Sequence, residues 1–326
     1  MNILQSGGLK RRAASLLEQT QPEYRKLVTL HAAVSVGVML VISLIQLLLN
    51  QITSNESGLS GMGASAVFST AKATLGLISG ILLPFWEIGV LYTSVRVTRR
   101  QEAEFLHLTR GFRRWGVVLR FYLLLILLYI VAVMFLSNLI PVIMIFFPMS
   151  QTLEDSLTAV ISENSTDSVA MMEAVMQAGV MDYILPIVVI FMVLLAAVLL
   201  WLSYRIRMSQ YLLVDDPAMP AIPSLIVSNQ MTKGHKWSLC KLDLSFWWYY
   251  LLQLGVAAIS FGPELLMLAG VTLPISANVE FFLFQLLYGI AYVAVVWFFG
   301  AYVQTTYACA YDELRNPPQD NTVITV

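Results

Sequence analysis

The feature that most constrains this sequence is a series of six apolar stretches, each long enough to cross a lipid bilayer as a helix. A spanning helix needs about 20 predominantly apolar residues. The stretches cover residues 28–49, 66–95, 117–147, 183–204, 246–269 and 281–308. Hydrophobic residues make up 58% of the chain and charged residues 12%, a balance that would leave a water-soluble protein with large apolar patches. The sequence therefore predicts an all-α, polytopic transmembrane bundle with about six spans.

Lysine and arginine occupy alternate loops, and this pattern predicts the orientation of the spans. Of the 19 lysines and arginines, 18 lie in the amino-terminal segment, around the loops before the third and fifth spans, and in the tail. The remaining one, Lys72, lies inside the second span, and the alternate loops 50–65, 148–182 and 270–280 contain none. Since positively charged loops stay on the cytoplasmic side, both termini are predicted to be cytoplasmic.

The same pattern divides the chain into three parts. Residues 1–27 are predicted to form a cytoplasmic amphipathic segment, and residues 312–326 a cytoplasmic tail. Between them, residues 28–311 form the six-span membrane domain, with short amphipathic helices in its cytoplasmic loops. Pro84 and Pro141 are expected to kink the second and third spans, because proline removes a helix hydrogen bond.

The outer loop at residues 148–182 is acidic and has no basic residue. A short surface helix is predicted at residues 168–178, where the composition favours a helix with an apolar stripe. The loop is interpreted either as a soluble connection or as a site for a cation or a basic partner.

Two of the predicted cytoplasmic turns resemble each other. The first turn, residues 109–115, has the sequence Thr-Arg-Gly-Phe-Arg-Arg-Trp, and the second turn, residues 232–237, has the sequence Thr-Lys-Gly-His-Lys-Trp. Gly111 and Gly234 are each expected to follow a short helix and to cap it in the left-handed conformation. Either a duplicated helical hairpin or convergence on one membrane-entry signal explains the likeness.

The basic and aromatic side chains of these turns are candidate contacts for a lipid or a partner protein. They are Arg110, Arg113, Arg114, Trp115, Lys233, His235, Lys236 and Trp237. A lysine or arginine near an anionic membrane surface contributes about 1 kcal/mol of attraction, and tryptophan prefers the depth of the headgroups. The same charges also set the topology, so the alternative is that they have no binding role.

Three sequence segments carry a resemblance to a known family. They are Tyr211-Leu-Leu-Val-Asp-Asp-Pro217, the stretch from Ser224 to Lys236, and Leu242-Asp-Leu-Ser-Phe-Trp-Trp248, followed by Tyr307 and Tyr311. The chain resembles, over roughly residues 90–311, a family of six-span bacterial membrane proteins of unknown function. That family is distantly akin to the membrane domain found ahead of some glycerophosphodiester phosphodiesterases. The resemblance implies a multi-pass protein of the bacterial plasma (inner) membrane, but no activity.

Ionisable residues inside the spans are the first place to look for a functional site, because burying a charge in lipid is costly. Lys72, Glu87 and Glu264 are the three candidates. Lys72 and Glu264 lie at similar depths near the outer ends of their spans, so they are predicted to pair, either as a structural clasp or as a gate. Glu87 is either a proton or cation site, or a carboxylate that is bonded to a neighbouring tyrosine or tryptophan or reaches towards water.

The motifs of several enzyme classes are absent from the sequence. There is no His-Glu-x-x-His or Cys-x-x-Cys pattern for a metal, and no Gly-Lys-Ser/Thr loop for a nucleotide phosphate. No serine or cysteine has a recognisable base partner for nucleophilic catalysis. Cys240 and Cys309 both fall on the predicted cytoplasmic side, where a structural disulfide is not expected. The sequence predicts no enzyme activity, no metal, no cofactor and no nucleic-acid partner.

Two functions are compatible with this pattern. The first is a non-catalytic membrane component that binds a partner protein or lipid through its cytoplasmic face, in assembly, export or envelope maintenance. The alternative is a transporter or lipid-handling permease, with a cavity lined by Lys72, Glu87 and Glu264. Convergence of those three residues on one central cavity is the feature that separates the two hypotheses.

Overall fold

The chain is described by a computed structural model over residues 4–20, 23–54, 59–146, 180–271 and 275–316. Within these ranges it is helical and has no β-strand, in agreement with the predicted all-α class. The predicted surface helix at 168–178 and nearly all of the acidic loop 148–182 lie outside the described residues.

Six helices form the amino-terminal part of the chain. In order they are α1 (Ser6–Thr20), α2 (Glu23–Ser54), α3 (Leu59–Thr98), α4 (Arg110–Arg113), α5 (Trp115–Ser137) and α6 (Ile140–Phe146). A 3₁₀ helix, Phe105–Thr109, precedes α4.

The carboxyl-terminal part continues with both long and short helices. They are α7 (Val180–Ile206), α8 (Ser209–Asp215), α9 (Ala221–Met231), α10 (Lys236–Leu244), α11 (Trp247–Ser260), α12 (Gly262–Leu268), α13 (Ala277–Val295) and α14 (Ala301–Arg315). A π-helical segment, Val296–Gly300, joins α13 directly to α14, so the chain is helical without interruption from Ala277 to Arg315.

Four helical segments in the described residues are long and apolar enough to cross a membrane. They are Glu23–Ile45, Trp115–Ile143, Leu185–Asp215 and Asn278–Arg315, and the bent pair α11–α12 makes a fifth if it counts as one span. The predicted second span, 66–95, lies within α3, and many of its side chains are outside the described set. A protein with four to five candidate spans is established, and the six-span count and its orientation remain predictions.

Two predicted spans are interrupted. The third, predicted over 117–147 with a kink at Pro141, has its break just before that proline, since α5 ends at Ser137 and α6 begins at Ile140. Pro141 is the second residue of α6, a position where its missing N–H is not needed. The fifth was expected over 246–269, and here the axis turns by 68° between α11 and α12. Pro84, by contrast, lies inside α3 and does not end it.

The chain divides into two compact units. Unit 1 comprises residues 1–122 and 205–326, and unit 2 comprises residues 123–204. In unit 1, α2 packs against α3 and α13, and α14 packs against α1 and α3. In unit 2, apolar side chains such as Phe135 and Val193 are exposed along the long helices, as is typical of surfaces that face lipid.

The predicted amphipathic segment at 1–27 is largely one helix, and its apolar face meets protein. Leu9, Ala13 and Leu17 of α1 are buried, and the helix packs against α14, where Ala308 and Cys309 are fully buried. Lys10 strengthens this placement, because its Nζ donates a hydrogen bond to the Ser245 carbonyl at 2.7 Å. The helix is thereby held against α14 and against the end of α10.

Two glycines allow α3 to approach the first turn closely. A Cβ atom added to Gly89 would lie 2.0 Å from the carbonyl oxygen of Leu108, and one added to Gly111 would lie 2.0 Å from that of Phe85. Gly111 is inside α4 and buried, so its predicted role as a left-handed cap is wrong. Glycine is needed there because two backbones touch.

We expect Gly89→Ala to lower the free energy of unfolding by about 1–3 kcal/mol, since the new methyl group collides with a backbone atom that cannot move cheaply. Gly116→Ala is the matched control, because nothing lies within 4 Å of a Cβ at that helical position. That control should raise stability by up to about 1 kcal/mol through helix propensity. Thermal unfolding of both variants in detergent measures the difference, and equal shifts would contradict the close contact.

Candidate functional site

Asp215, the last residue of α8, is a buried carboxylate with several charged partners. Its side chain is 6% exposed. The two terminal nitrogens of Arg99 lie 2.5 and 2.9 Å from its two oxygens, Nη1 of Arg315 lies at 2.7 Å, and the Tyr311 hydroxyl donates at 2.9 Å. Two-point arginine–carboxylate pairs are among the strongest hydrogen-bonded contacts in proteins. Hydrogen bonding to Asp215 raises the pKa of Arg99 above its usual value.

A second carboxylate connects this group to the amino terminus. Asp312 of α14 accepts a hydrogen bond from Nη2 of Arg12 at 2.8 Å and lies 3.8 Å from Nε of Arg99. Arg12 also lies 3.6 Å from Glu313. We call Arg12, Arg99, Asp215, Tyr311, Asp312 and Arg315 the Asp215 cluster. It joins α1, the end of α3, the end of α8 and the end of α14.

A separate cluster, the Asp243 cluster, holds the helix that leads into α11. Both Asp243 oxygens are bonded to Arg207, one of them at 2.7 Å. The Tyr307 hydroxyl donates to Asp243 at 2.6 Å and lies 2.7 Å from the hydroxyl of Tyr250. Because the Tyr307 proton is used on the carboxylate, Tyr250 is the donor in the second bond. The guanidinium carbon of Arg207 also lies 4.4 Å from the Tyr307 ring centre.

Arg114 of the first turn binds the segment that leads to the second turn. Its Nη1 donates to the carbonyls of Leu213 and Asp216 at 2.7 and 3.2 Å, and its Nη2 to that of Met219 at 3.1 Å. The last carbonyls of a helix lack partners within it, so a guanidinium there satisfies groups that water would otherwise solvate. Arg114 was predicted as a lipid or partner contact. In the structure its guanidinium binds backbone carbonyls of the same chain, and the predicted lipid or partner contact stays a prediction.

The other basic and aromatic residues of the first turn differ in exposure. Arg113 and Trp115 are exposed, Trp115 at 65% of its surface. Arg110 is half-buried, with its guanidinium carbon 4.8 Å from the ring centre of Tyr92. His107 precedes them and packs edge-on against Tyr92. Burial, together with the positive charge of Arg96, lowers the pKa of His107, which keeps it neutral at physiological pH.

The second turn is built differently. Gly234 has φ +84°, the left-handed conformation predicted for it, but it lies three residues beyond α9, whose C-cap is Thr232. Lys233 and Trp237 are exposed, Trp237 at 66%, while His235 and Lys236 are half-buried. The two turns therefore share residues but not backbone conformation, and their common origin remains a prediction.

The three predicted intramembrane residues have unlike surroundings. Glu87 accepts a hydrogen bond from the Tyr122 hydroxyl at 3.1 Å, and that hydroxyl accepts one from Nε2 of Gln210 at 3.3 Å. Glu264 is exposed in the first turn of α12. Lys72 belongs to α3, but its side chain is outside the described residues. The predicted Lys72–Glu264 pair is therefore untested.

Sequence reasoning missed both acidic clusters as sites. The resemblance segments included Asp215, Tyr307 and Tyr311, but the partners Arg99 and Arg207 were assigned only to topology. Arg99 is 116 residues from Asp215 in the chain, so no local spacing reveals the pair. The available signal was the presence of acidic residues, including Asp215 and Asp243, within otherwise basic loops. In the ranges that the structure covers, no group of three His, Cys, Asp or Glu side chains is arranged to hold a metal ion.

Removing the Asp215 charge should weaken the contact between the ends of α3, α8 and α14. We expect Asp215→Asn to lower the free energy of unfolding by about 1–3 kcal/mol, because it leaves Arg99 and Arg315 without their shared carboxylate. Asp216→Asn is the matched control, since the Asp216 side chain accepts one bond from the neighbouring Ala218 N–H, which an amide oxygen can replace. Thermal unfolding of the two purified variants compares them, and an undisturbed Asp215→Asn protein would refute the role of the cluster.

Comparison with known proteins returns one family. The family described as "Protein of unknown function (DUF975)" matches residues 18–317 of the chain. No curated protein and no solved structure matches. The predicted kinship with the membrane domain of glycerophosphodiester phosphodiesterases has no support among these matches.

Proposed function

Since the chain belongs to this family of unknown function, we propose its role from geometry: a non-catalytic membrane component that binds a partner protein or anionic lipid through its basic turns. It acts in the bacterial plasma (inner) membrane as a multi-pass protein with six spans and both termini in the cytoplasm. The role belongs to assembly, export or envelope maintenance.

The observation that carries this proposal is a difference among the basic residues of unit 1: some are paired with carboxylates of the same chain, and others are exposed. Asp215, Asp243 and Asp312 are all occupied by arginines of the same chain. Arg113 and Lys233, in contrast, are exposed and have no carboxylate partner in the described part of the chain. The surface therefore offers positive charge without an internal acid to neutralise it, which suits an anionic partner.

Exposed tryptophans support a position at the membrane interface. Trp115 and Trp237 directly follow the basic residues of the two turns, and Trp247 begins α11 with 60% of its surface exposed. Tryptophan is enriched where the hydrocarbon meets the headgroups. The exposed tryptophans support a position of the basic turns at headgroup depth, where both anionic lipids and the juxtamembrane parts of other proteins would be within reach.

The proposal includes no catalysis, no cofactor and no nucleic-acid partner. The strongest polar clusters are arginine–carboxylate pairs with tyrosine donors, and they satisfy one another. In such an arrangement the reactive groups are already used for structure. The charge pattern of a membrane protein explains the basic residues without a nucleic acid.

Neutralising the exposed charges should reduce binding without loosening the fold. We expect the double variant Arg113→Gln, Lys233→Gln to lose most of the partner that the wild-type chain retains on gentle extraction from its own host membrane. Arg11→Gln is the matched control, because Arg11 is exposed on α1 and its bond within the described residues is to a carbonyl of its own helix, that of Gly7. Affinity isolation followed by quantitative mass spectrometry measures the companion protein or lipid.

A companion that is stoichiometric in the wild type and in Arg11→Gln, and depleted in the double variant, supports the proposal. A protein companion identifies the assembly role, and an anionic lipid identifies the lipid role. Equal retention by all three proteins, or no companion at all, counts against binding through the turns.

A permease using Lys72, Glu87 and Glu264 is the alternative, and one observation favours it. The hydrogen-bonded row Glu87–Tyr122–Gln210 places a carboxyl group and a hydroxyl group in sequence inside a predicted spanning region. Such rows can carry protons in transporters. Glu264 does not join this row, because it is exposed on α12.

The permease alternative predicts proton flux that depends on Glu87. In proteoliposomes with an entrapped pH-sensitive dye and an imposed potassium diffusion potential, wild-type protein should acidify the lumen faster than protein-free vesicles. Glu87→Gln should reduce that rate to the protein-free level, whereas Glu23→Gln, an exposed carboxylate at the start of α2, should leave it unchanged. A wild-type rate equal to that of empty vesicles would reject this alternative.

A further inference from the structure

Unit 1 has an apolar groove between α2 and α13 that the proposed function does not use. It has a volume of about 450 Å³. One wall comes from α2, the other from α13 and the π-helical segment. The lining includes Thr29, Val36, Leu40, Gly289, Ala294 and Trp297. Thr29, Val36 and Leu40 share one face of α2, since their separations of seven and four residues match whole turns of a helix.

The dimensions of the groove suit a single extended hydrocarbon chain. From Thr29 to Leu40 the helix rises about 16 Å. Gly289 brings the two helices together at the upper part, where an added Cβ would lie 2.5 Å from Val36 Cγ1. The small Ala294 leaves the space open further along α13, and Phe298, 63% exposed, forms its far side. The lining offers almost no polar partner for water.

One end of the groove carries positive charge. The Thr29 hydroxyl donates to the carbonyl of Arg25 at 2.9 Å, so Arg25 lies one turn below Thr29 on the same side of α2. Lys26 is three residues from Thr29, also a neighbouring position on the helix surface, and it is exposed.

These two basic residues are unneutralised. In the part of the chain that the structure covers, neither has a carboxylate within ion-pair distance. Nε of Arg25 is enclosed by protein, while the residue as a whole is half-buried, so an anion meets this guanidinium through its terminal nitrogens. A phosphate group would supply the negative charge that the chain itself does not place beside Arg25 and Lys26.

We infer that this groove binds an anionic phospholipid, with one acyl chain between α2 and α13 and the phosphate held by Arg25 and Lys26. The site has a charged end and an apolar body, which is the division of chemistry within such a lipid. It contains no residue of the two basic turns, so it does not depend on the proposed function. A second copy of the chain could cover the same face, and the test separates that outcome.

The test is native mass spectrometry of the full chain, delipidated in detergent and titrated with phosphatidylglycerol or phosphatidylethanolamine. Wild-type protein should retain one phosphatidylglycerol at lower lipid concentration than it retains phosphatidylethanolamine. Ala294→Phe should abolish this single retention by filling the groove. Ala258→Phe, a matched exposed alanine on α11, should retain the lipid as the wild type does.

The double variant Arg25→Gln, Lys26→Gln separates headgroup from chain. Each basic residue at an anionic headgroup strengthens binding about fivefold, so the pair should weaken phosphatidylglycerol binding by about 30-fold. Phosphatidylethanolamine binding should change little. The turn variant Arg113→Gln, Lys233→Gln should retain phosphatidylglycerol in the groove, which distinguishes failure at the turns from failure at this site.

Retention that is unaffected by Ala294→Phe, or equally weakened by Ala258→Phe, would overturn the proposal. A dimer in the wild-type spectrum that Ala294→Phe converts to monomer, without bound lipid, would assign the groove to a second copy of the chain instead. Circular dichroism of each variant shows whether it is folded. If Ala294→Phe is unfolded, Ile290→Trp, on the same exposed lining, replaces it with the same expected loss.

Discussion

The ion pair between Asp215 and Arg99 is the contact on which the packing of the ends of α3, α8 and α14 depends. A carboxylate with 6% of its side chain exposed loses most of its hydration, and that loss is offset only if several donors surround it. Arg315 and Tyr311 supply the additional donors. The geometry can be satisfied only when the ends of α3, α8 and α14 meet, so one buried charge specifies how three distant segments assemble.

This assembly also determines where the two turns lie. Arg114, at the end of the first turn, binds carbonyls at the end of α8 and just beyond it, and α8 is held by Asp215. Ser228 of α9 accepts a bond from the Met208 N–H and donates to the Arg205 carbonyl, which fixes the helix before the second turn. The exposed basic side chains of the two turns are therefore attached to a backbone that these hydrogen bonds hold in place. A supported backbone lowers the entropic cost of binding a partner.

Sequence alone was sufficient for the helical class, because apolar length and charge segregation are local properties. It was also sufficient for the left-handed conformation of Gly234, which glycine adopts without the steric cost of a Cβ. It failed at Gly111, where the same residue type serves a backbone contact with Phe85 that sequence spacing cannot reveal. The Asp215 cluster was not predicted for a related reason. The positive-inside pattern already accounts for every arginine, so the sequence gives no sign that an arginine is paired with a carboxylate.

The structure divides the basic residues into those that contact groups of the same chain and those that are exposed. Arg99, Arg114 and Arg207 donate hydrogen bonds to groups of the same chain. These bonds compensate for the loss of water around their guanidinium groups. Arg113 and Lys233 remain exposed, and the topology signal is carried by all of them together. Topology responds to the sum of charges in a loop, whereas the proposed binding would respond to individual exposed charges. Under the proposed function, a single neutral substitution is therefore expected to change binding and to leave the predicted orientation intact.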